Sequence, residues 1–161
     1  MAKVKMVLGW CIPMILITVA LMTPVAAQAG SVKIWPDQLK PGMPWDGSSP
    51  EGYYQNWGEV RNGLFFAPLN LPLGARITKV TYYHLGYPGG LTAAYIERQK
   101  MGAYSESVAD GGSIDDSGEI ILVDVPVVGD RIIRPGYRYY IIVRPANNLS
   151  FVKGVIINYL P

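Results

Sequence analysis

The chain has 161 residues, with 14 basic and 12 acidic side chains, a single histidine and a single cysteine. This length suits one domain. One cysteine cannot form an internal disulfide, and one histidine cannot supply a two-histidine metal site.

Residues 1–29 carry the pattern of a secretory signal peptide. Lys3 and Lys5 precede a long apolar run, and small residues follow at 25–29. A basic start, an apolar middle and a small-residue cleavage site are typical of such leaders. We predict cleavage after Ala29, with the position two residues earlier as the second choice.

Two other interpretations of the leader are less favoured. A membrane anchor needs about 20 apolar residues, whereas this run is shorter and contains Gly9 and Pro13. A lipoprotein carries its cysteine after the apolar run, whereas Cys11 lies within it. We therefore predict a secreted or periplasmic protein that meets a membrane only through the transient signal peptide.

The mature chain, residues 30–161, is predicted to be a single domain with balanced charge. Loss of Lys3 and Lys5 leaves twelve basic residues against twelve acidic ones. No excess of positive charge remains, so we expect no binding to nucleic acid. The mature chain has no cysteine, so its stability depends on an apolar core and on backbone hydrogen bonds.

Residues 30–62 are predicted to be irregular, apart from a short opening strand at 32–35. Prolines and glycines recur every few residues, which prevents long helices and strands. The segment is also rich in aromatic side chains, so we expect it to pack on the body of the domain.

From residue 63 onwards, short β-rich runs alternate with turn signals. We predict strands at 64–67, 76–84, 91–99, 104–109, 119–125, 137–144 and 151–160, with a short one at 131–133. The spacing predicts an all-β fold, a jelly-roll-like antiparallel β-sandwich of about seven or eight strands. We expect the last two strands to be central, a turn at 71–74 and a polar loop at 110–118.

The most specific motif lies at residues 67–83, with the sequence APLNLPLGARITKVTYY. Its core, Pro-x-x-Leu-Pro-x-Gly-Ala-x-Ile-Thr-Lys-Val, resembles a group of secreted bacterial proteins of uncharacterised function. The runs at 139–143 and 154–159 also fit that group. Its aromatic run often leads into Asp, whereas here it leads into residues 85–88. The resemblance implies a compact β-sandwich and no activity or catalytic residue.

Strict strand alternation within this motif cannot place Ile77, Val80 and Tyr82 on one face. A β-bulge at residues 78–79 would restore their common direction, so we predict one there. His84, at the end of the same strand, is predicted to be a surface or rim residue, because a catalytic histidine needs a partner to orient it.

An acidic, glycine-rich run is the candidate metal site. Asp110, Asp115, Asp116 and Glu119 cluster there, and Ca²⁺ prefers several oxygen ligands on a flexible loop. The spacing does not match an EF-hand, and the interpretation we favour is a solvated hairpin loop. Apart from this candidate Ca²⁺, we predict no cofactor.

The aromatic N-terminal segment is the candidate ligand site. Trp45, Tyr53, Tyr54 and Trp57 alternate with amide and acidic side chains. Rings stack on the apolar faces of sugars while amides and carboxylates bind hydroxyls, so this composition indicates glycan binding. The competing interpretation, which we favour, is that the rings cap an open end of the sandwich as core.

Three functions remain open for the exported domain. We predict a non-enzymatic ligand-binding or glycan-binding module, whose partner is a glycan or another cell-surface component. The first alternative is a structural protein that self-assembles as a homo-oligomer. The second is a hydrolase, which needs two acids facing each other across a cleft. The scattered candidates for that pair are Glu51, Glu59, Glu97 and Asp124.

Overall fold

The described part of the chain folds into eleven strands in two antiparallel sheets. The computed structural model describes residues 28–42, 53–55 (backbone only), 59–61, 63–85, 90–115, 117–146 and 149–161. Residues 1–27 of the predicted signal peptide lie outside these ranges, as do Trp45, Glu51, Trp57 and Asp116. Within the described ranges, no helix is long and apolar enough to cross a bilayer.

Six strands form sheet A: β1 (Gly30–Ile34), β3 (Tyr53–Gln55), β4 (Glu59–Arg61), β6 (Arg76–Leu85), β9 (Ile120–Val125) and β11 (Phe151–Leu160). Five strands form sheet B: β2 (Lys40–Pro41), β5 (Phe65–Pro68), β7 (Thr92–Lys100), β8 (Ser105–Ser113) and β10 (Tyr137–Arg144). Strands β4 to β11 pair in the order β4-β11-β6-β9 in one sheet and β5-β10-β7-β8 in the other. This is the order of an eight-stranded jelly roll, so the predicted fold class is confirmed.

The three further strands lie at the margins of the jelly roll, within the segment predicted to be irregular. β1 pairs with β11, β2 pairs with β5, and β3 pairs with β4. A short 3-10 turn at Pro36–Gln38 separates β1 from β2. The predicted opening strand is present as β1, whereas β2, β3 and β4 were not predicted. Prolines and glycines prevent long strands but allow short edge strands, and Pro41 occupies such an edge.

The core lies between the two sheets and is built from alternate residues of the long strands. β10 and β11 are central, as predicted. The largest fully buried side chains include Phe65, Ile77, Tyr82, Ile96, Ile141 and Ile157. The Tyr82 hydroxyl donates a 2.9 Å hydrogen bond to the carbonyl oxygen of Thr92. Because Tyr82 lies on β6 and Thr92 on β7, this bond joins the two sheets through the core.

The predicted bulge in β6 is confirmed. Asn158 of β11 lies opposite Lys79, and the next residue, Tyr159, lies opposite Ile77, so Thr78 is the extra residue. Ile77 and Val80 are consequently both buried although they are three positions apart. The predicted turn at 71–74 is present as well, since Gly74 adopts a positive φ of 85°.

The predicted polar loop at 110–118 begins later than expected. β8 continues to Ser113, and Gly111 pairs with Ala94 of β7. A Cβ atom on Gly111 would lie 2.8 Å from Cδ of Pro126, so this strand position admits only glycine without a shift. The glycines that suggested a loop therefore serve close packing within the sheet.

His84 lies in the core, which corrects its predicted surface position. Its side chain is 0% exposed, and its ring centroid is 5.5 Å from that of Tyr82. His84 shares the inward face of β6 with Tyr82, and its neighbours in register are Val152 and Ile121. The position near the end of the strand suggested exposure, whereas the ring lies on the inward face of the sheet and is fully buried. Burial lowers the pKa of His84, against the opposing attraction of the Asp115 carboxylate.

Candidate functional site

The aromatic residues predicted to bind ligand can be placed only in part. Tyr53 and Tyr54 lie on β3, the edge strand of sheet A, where the backbone alone is described. Trp45 and Trp57 lie outside the described residues. Their role in binding remains a prediction.

The acidic run is divided between a strand and a turn. Asp110 belongs to β8, opposite Tyr95 of β7. In the turn, Asp115 accepts hydrogen bonds from the backbone N–H of Ser117 at 3.2 Å and from its hydroxyl at 2.9 Å. Glu119 is exposed at the end of that turn. Among the described residues, no three histidine, cysteine or acidic side chains lie close enough to hold a metal ion.

The described acids considered for hydrolysis do not converge. Glu59 on β4 and Asp124 on β9 both belong to sheet A, where β11 and β6 lie between them. Three strand spacings amount to about 14 Å, more than the roughly 9.5 Å upper separation of catalytic carboxylates in glycosidases. Glu97 lies on β7 of the other sheet. Glu59 is also engaged, with Arg61 at 3.0 Å and Lys153 at 3.6 Å.

A groove of about 640 Å³ crosses the outer face of sheet B, and we call it the tyrosine groove. Side-chain alternation turns Phe66 of β5, Tyr140 of β10 and Glu97 of β7 outward, and Tyr140 pairs directly with Glu97. The principal lining residues are Phe66, Glu97, Gln99, Tyr104, Ser105 and Tyr140. Three rings therefore lie beside an acid, an amide and a hydroxyl.

One wall of the tyrosine groove is the turn between β7 and β8. Tyr104 extends from this turn and is 96% exposed. Gly102 has a positive φ of 77°, and the N–H of Ala103 donates to the carbonyl oxygen of Lys100 at 3.0 Å. The Gln99 amide donates to the carbonyl oxygen of Ala103 at 3.3 Å. These bonds fix the backbone of the turn, which places Tyr104 at the groove with its ring almost fully accessible.

Two extensions continue from the tyrosine groove along the outer face of sheet B. On one side, Tyr95 lies between Ile142 and Asp110, and burial together with the Asp110 carboxylate raises the pKa of its hydroxyl, which remains a donor at neutral pH. On the other side, a hollow of about 430 Å³ adjoins the groove at Tyr140 and is lined in part by Asn70 and Arg138. Tyr140 therefore lies between two adjoining hollows.

A second hollow, which we call the Trp35 pocket, lies on the outer face of sheet A. Its volume is about 310 Å³, and its principal lining residues are Lys33, Trp35, Tyr83, Lys153, Gly154 and Ile156. Trp35 is 56% exposed. Ile156 also lines an adjoining hollow of about 470 Å³, which contains Lys79 and Asp124.

The sequence did not indicate the tyrosine groove or the Trp35 pocket. Phe66, Glu97 and Tyr140 come from three strands that are far apart in the chain and meet only through the sheet register. The one local signal is the Tyr139-Tyr140 pair, because alternation must turn one of two adjacent rings outward. Tyr139 is buried and Tyr140 is partly exposed.

Comparison with known proteins gives likenesses of fold only. No protein-family model matches the chain, and no curated protein matches it. A GH26-CBM35 β-(1,4)-mannanase from Podospora anserina aligns with a TM-score of 0.46 and 11% identity, over 80% of this chain and 27% of that one.

Two further solved structures are similarly distant. The C-terminal CBM6 of LamC from Zobellia galactanivorans aligns with a TM-score of 0.43 and 13% identity, over 80% of this chain and 98% of that one. A structure of infectious bursal disease virus, Gx strain, aligns with a TM-score of 0.40 and 14% identity, over 84% of this chain and 32% of that one. These distant likenesses assign no function to the chain.

Proposed function

We propose that the protein is an exported, non-enzymatic module that binds a glycan in the tyrosine groove. The observation that carries the proposal is the set of three rings beside Glu97 and Gln99 in one groove of about 640 Å³. That volume lies within the usual range of ligand sites, which combine apolar walls with a few polar groups. Rings supply flat surfaces for the C–H faces of sugars, while Glu97 and Gln99 offer hydrogen bonds to hydroxyls.

The shape of the face favours an oligosaccharide over a single sugar. Tyr140 borders both the tyrosine groove and the hollow beside it. From Ile142 to Arg138 the outward side chains of β10 extend over four residues, about 13 Å of strand. A chain of sugars lying along β10 would contact both hollows, with one ring stacked on Tyr140.

Absence of catalysis is part of the proposal. Of the three described acids considered above, only Glu97 lines the tyrosine groove. Glu59 and Asp124 lie on the opposite sheet. Hydrolysis of a glycosidic bond requires two carboxylates across the scissile bond, and these three acids do not provide that arrangement.

Binding should be measured by isothermal titration calorimetry of the purified protein against a panel of neutral oligosaccharides. We expect Tyr104→Ala to weaken binding about tenfold, because one stacking contact contributes about 1.4 kcal/mol. Tyr104 is almost fully exposed, so the free energy of unfolding should not change. Met101→Ala is the matched control, since Met101 is 93% exposed on the same turn and does not line the groove.

Two results would contradict this proposal. If no oligosaccharide binds, the groove has another use. If Tyr104→Ala and Tyr140→Ala bind normally while Trp45→Ala does not, the glycan lies on the aromatic segment that the sequence indicated. That comparison is useful because Gly42, on the rim of the groove, precedes Trp45 by only three residues.

Self-association is a second candidate function, favoured by β9. In the ladders of the described strands, β9 pairs on one side only, with β6. Ile120 and Leu122 are exposed apolar side chains on this edge strand, and edges of this kind promote pairing between chains. Light scattering on the calorimetry samples measures the oligomeric state. A monomer at the concentration used for calorimetry would rule out self-association.

A further inference from the structure

Gly154 and the Trp35 indole lie side by side in the Trp35 pocket. Gly154 has a φ of 150°, and a Cβ atom there would lie 3.0 Å from the carbonyl oxygen of Ile34 and 3.9 Å from Cε3 of the Trp35 indole. Because Gly154 has no side chain, β1 and the Trp35 indole can lie close to β11. The pocket is open because position 154 carries no side chain.

The backbone around Trp35 is held by a reciprocal pair of hydrogen bonds. The N–H of Trp35 donates to Oε1 of Gln38 at 2.8 Å, and the N–H of Gln38 donates to the carbonyl oxygen of Trp35 at 3.0 Å. Pro36 between them is buried and fixes the start of the turn. The backbone that carries the exposed indole is therefore rigid, which lowers the entropy lost when a ligand binds.

Two lysines, Lys33 and Lys153, line this pocket, and Lys33 has no ion pair among the described residues. Lys153 is the extra residue of a bulge in β11 and lies 3.6 Å from Glu59. Glu59 is shared with Arg61 at 3.0 Å, so it does not cancel the charge of Lys153. Together with Glu59 and Arg61, which lie beside the pocket, the two lysines carry a net charge of about +2. Among the described residues that line the tyrosine groove, only Glu97 is charged.

We propose that the Trp35 pocket is a second carbohydrate site that binds an acidic sugar, with the sugar ring on the Trp35 indole and its carboxylate between Lys33 and Lys153. The indole supplies the flat surface that a pyranose ring needs, and the two ammonium groups supply the charge that a uronate needs. The site is distinct in sheet, charge and ligand from the tyrosine groove. It therefore stands or fails independently of the neutral glycan site.

The test is calorimetry with oligogalacturonate, compared with the same oligomer after methyl esterification. Esterification keeps the rings and removes the charge, so the esterified chain should bind at least tenfold more weakly. Trp35→Ala should weaken oligogalacturonate binding about tenfold, and Trp35→Phe should restore part of the loss. Lys33→Gln should weaken it about threefold to fivefold, the size of an exposed charge interaction.

Controls separate this site from the tyrosine groove and from general electrostatic attraction. Lys100→Gln removes an exposed lysine from sheet B and should leave binding unchanged. Tyr104→Ala should also leave oligogalacturonate binding unchanged while it weakens the neutral ligand. Raising the salt from about 0.02 M to about 0.5 M should weaken only the acidic ligand.

Four results would overturn the inference. They are equal binding of the esterified chain, equal binding of poly-L-glutamate, loss of oligogalacturonate binding in Tyr104→Ala but not in Trp35→Ala, and no oligogalacturonate binding at low salt. The second would show a surface that selects charge without a sugar ring. The third would place the acidic chain in the tyrosine groove. Trp35 is more than half exposed, so its substitution is not expected to unfold the protein.

Discussion

His84 should make the stability of the domain depend on pH in a range where few other groups titrate. It is the only histidine in the chain, and its side chain is fully buried beside Tyr82. Burial lowers the pKa of His84 in the folded state, whereas a histidine in the unfolded chain has a pKa near 6.5. The unfolded chain therefore binds an extra proton once the pH falls below that value.

The sign and size follow from proton linkage. The stabilising effect of a neutral His84 is fully present above about pH 6.5 and is lost as the pH falls from there towards the lowered pKa of the folded state. For one proton, the free energy of unfolding can fall by no more than about 1.4 kcal/mol per pH unit. Between pH 7 and pH 5 the largest loss is about 2 kcal/mol, or roughly 6 °C in melting temperature.

Urea unfolding at half-unit steps from pH 5 to pH 7, at constant ionic strength, measures this slope. We expect His84→Leu to remove the slope, because leucine fills the core without a titrating group. Tyr82→Phe is the control on the same strand. It loses the hydrogen bond to Thr92, about 1 kcal/mol at every pH, and should keep the wild-type slope.

Two outcomes would refute the reasoning about His84. A wild-type stability that stays constant or rises on acidification would mean that the ring is protonated in the folded core. A His84→Leu variant that keeps the wild-type slope would assign the acid loss to other groups.

The remaining predictions concern two positions where the backbone depends on one side chain or on its absence. Tyr139→Phe should lower the free energy of unfolding by about 1–2 kcal/mol, because the Tyr139 hydroxyl accepts the N–H of Arg134 at 3.0 Å and donates to the carbonyl oxygen of Ile132 at 3.2 Å. Gly154→Ala should lower it by about 1–3 kcal/mol, because the new Cβ would lie 3.0 Å from the Ile34 carbonyl oxygen at a φ of 150°. Urea unfolding at neutral pH measures both, and a change below about 0.5 kcal/mol would contradict either.

Strand positions could be predicted where the pattern is local. β6, β7, β10 and β11 each span at least eight residues, enough for alternation to appear in the sequence. The bulge at Thr78 was predictable for the same reason, since two consecutive polar residues separate Ile77 from Val80. β2, β3 and β4 have only two or three residues each. Such strands exist because a longer strand lies beside them, and no local pattern indicates that neighbour.

The grooves could not be predicted because register is not local. Tyr140 meets Phe66 and Glu97 only when β5, β10 and β7 are aligned. The sequence instead drew attention to the aromatic segment around Trp45, where rings are close along the chain. Closeness along the chain and closeness on a sheet face are different properties, and ligand sites on sheets depend on the second.

The tyrosine groove and the Trp35 pocket each combine a ring from a strand with a ring from a turn. Tyr140 and Tyr83 lie on strands, whereas Tyr104 and Trp35 extend from turns that a glutamine side chain binds, Gln99 in one case and Gln38 in the other. Tyr104 is 96% exposed, so it contributes little to folding, whereas Trp35 buries nearly half of its surface and contributes more. The hydrogen bonds of each turn hold its backbone in place, which reduces the entropy lost when a ligand binds. Substitution of either turn ring should therefore weaken ligand binding, and Tyr104→Ala should do so without lowering the free energy of unfolding.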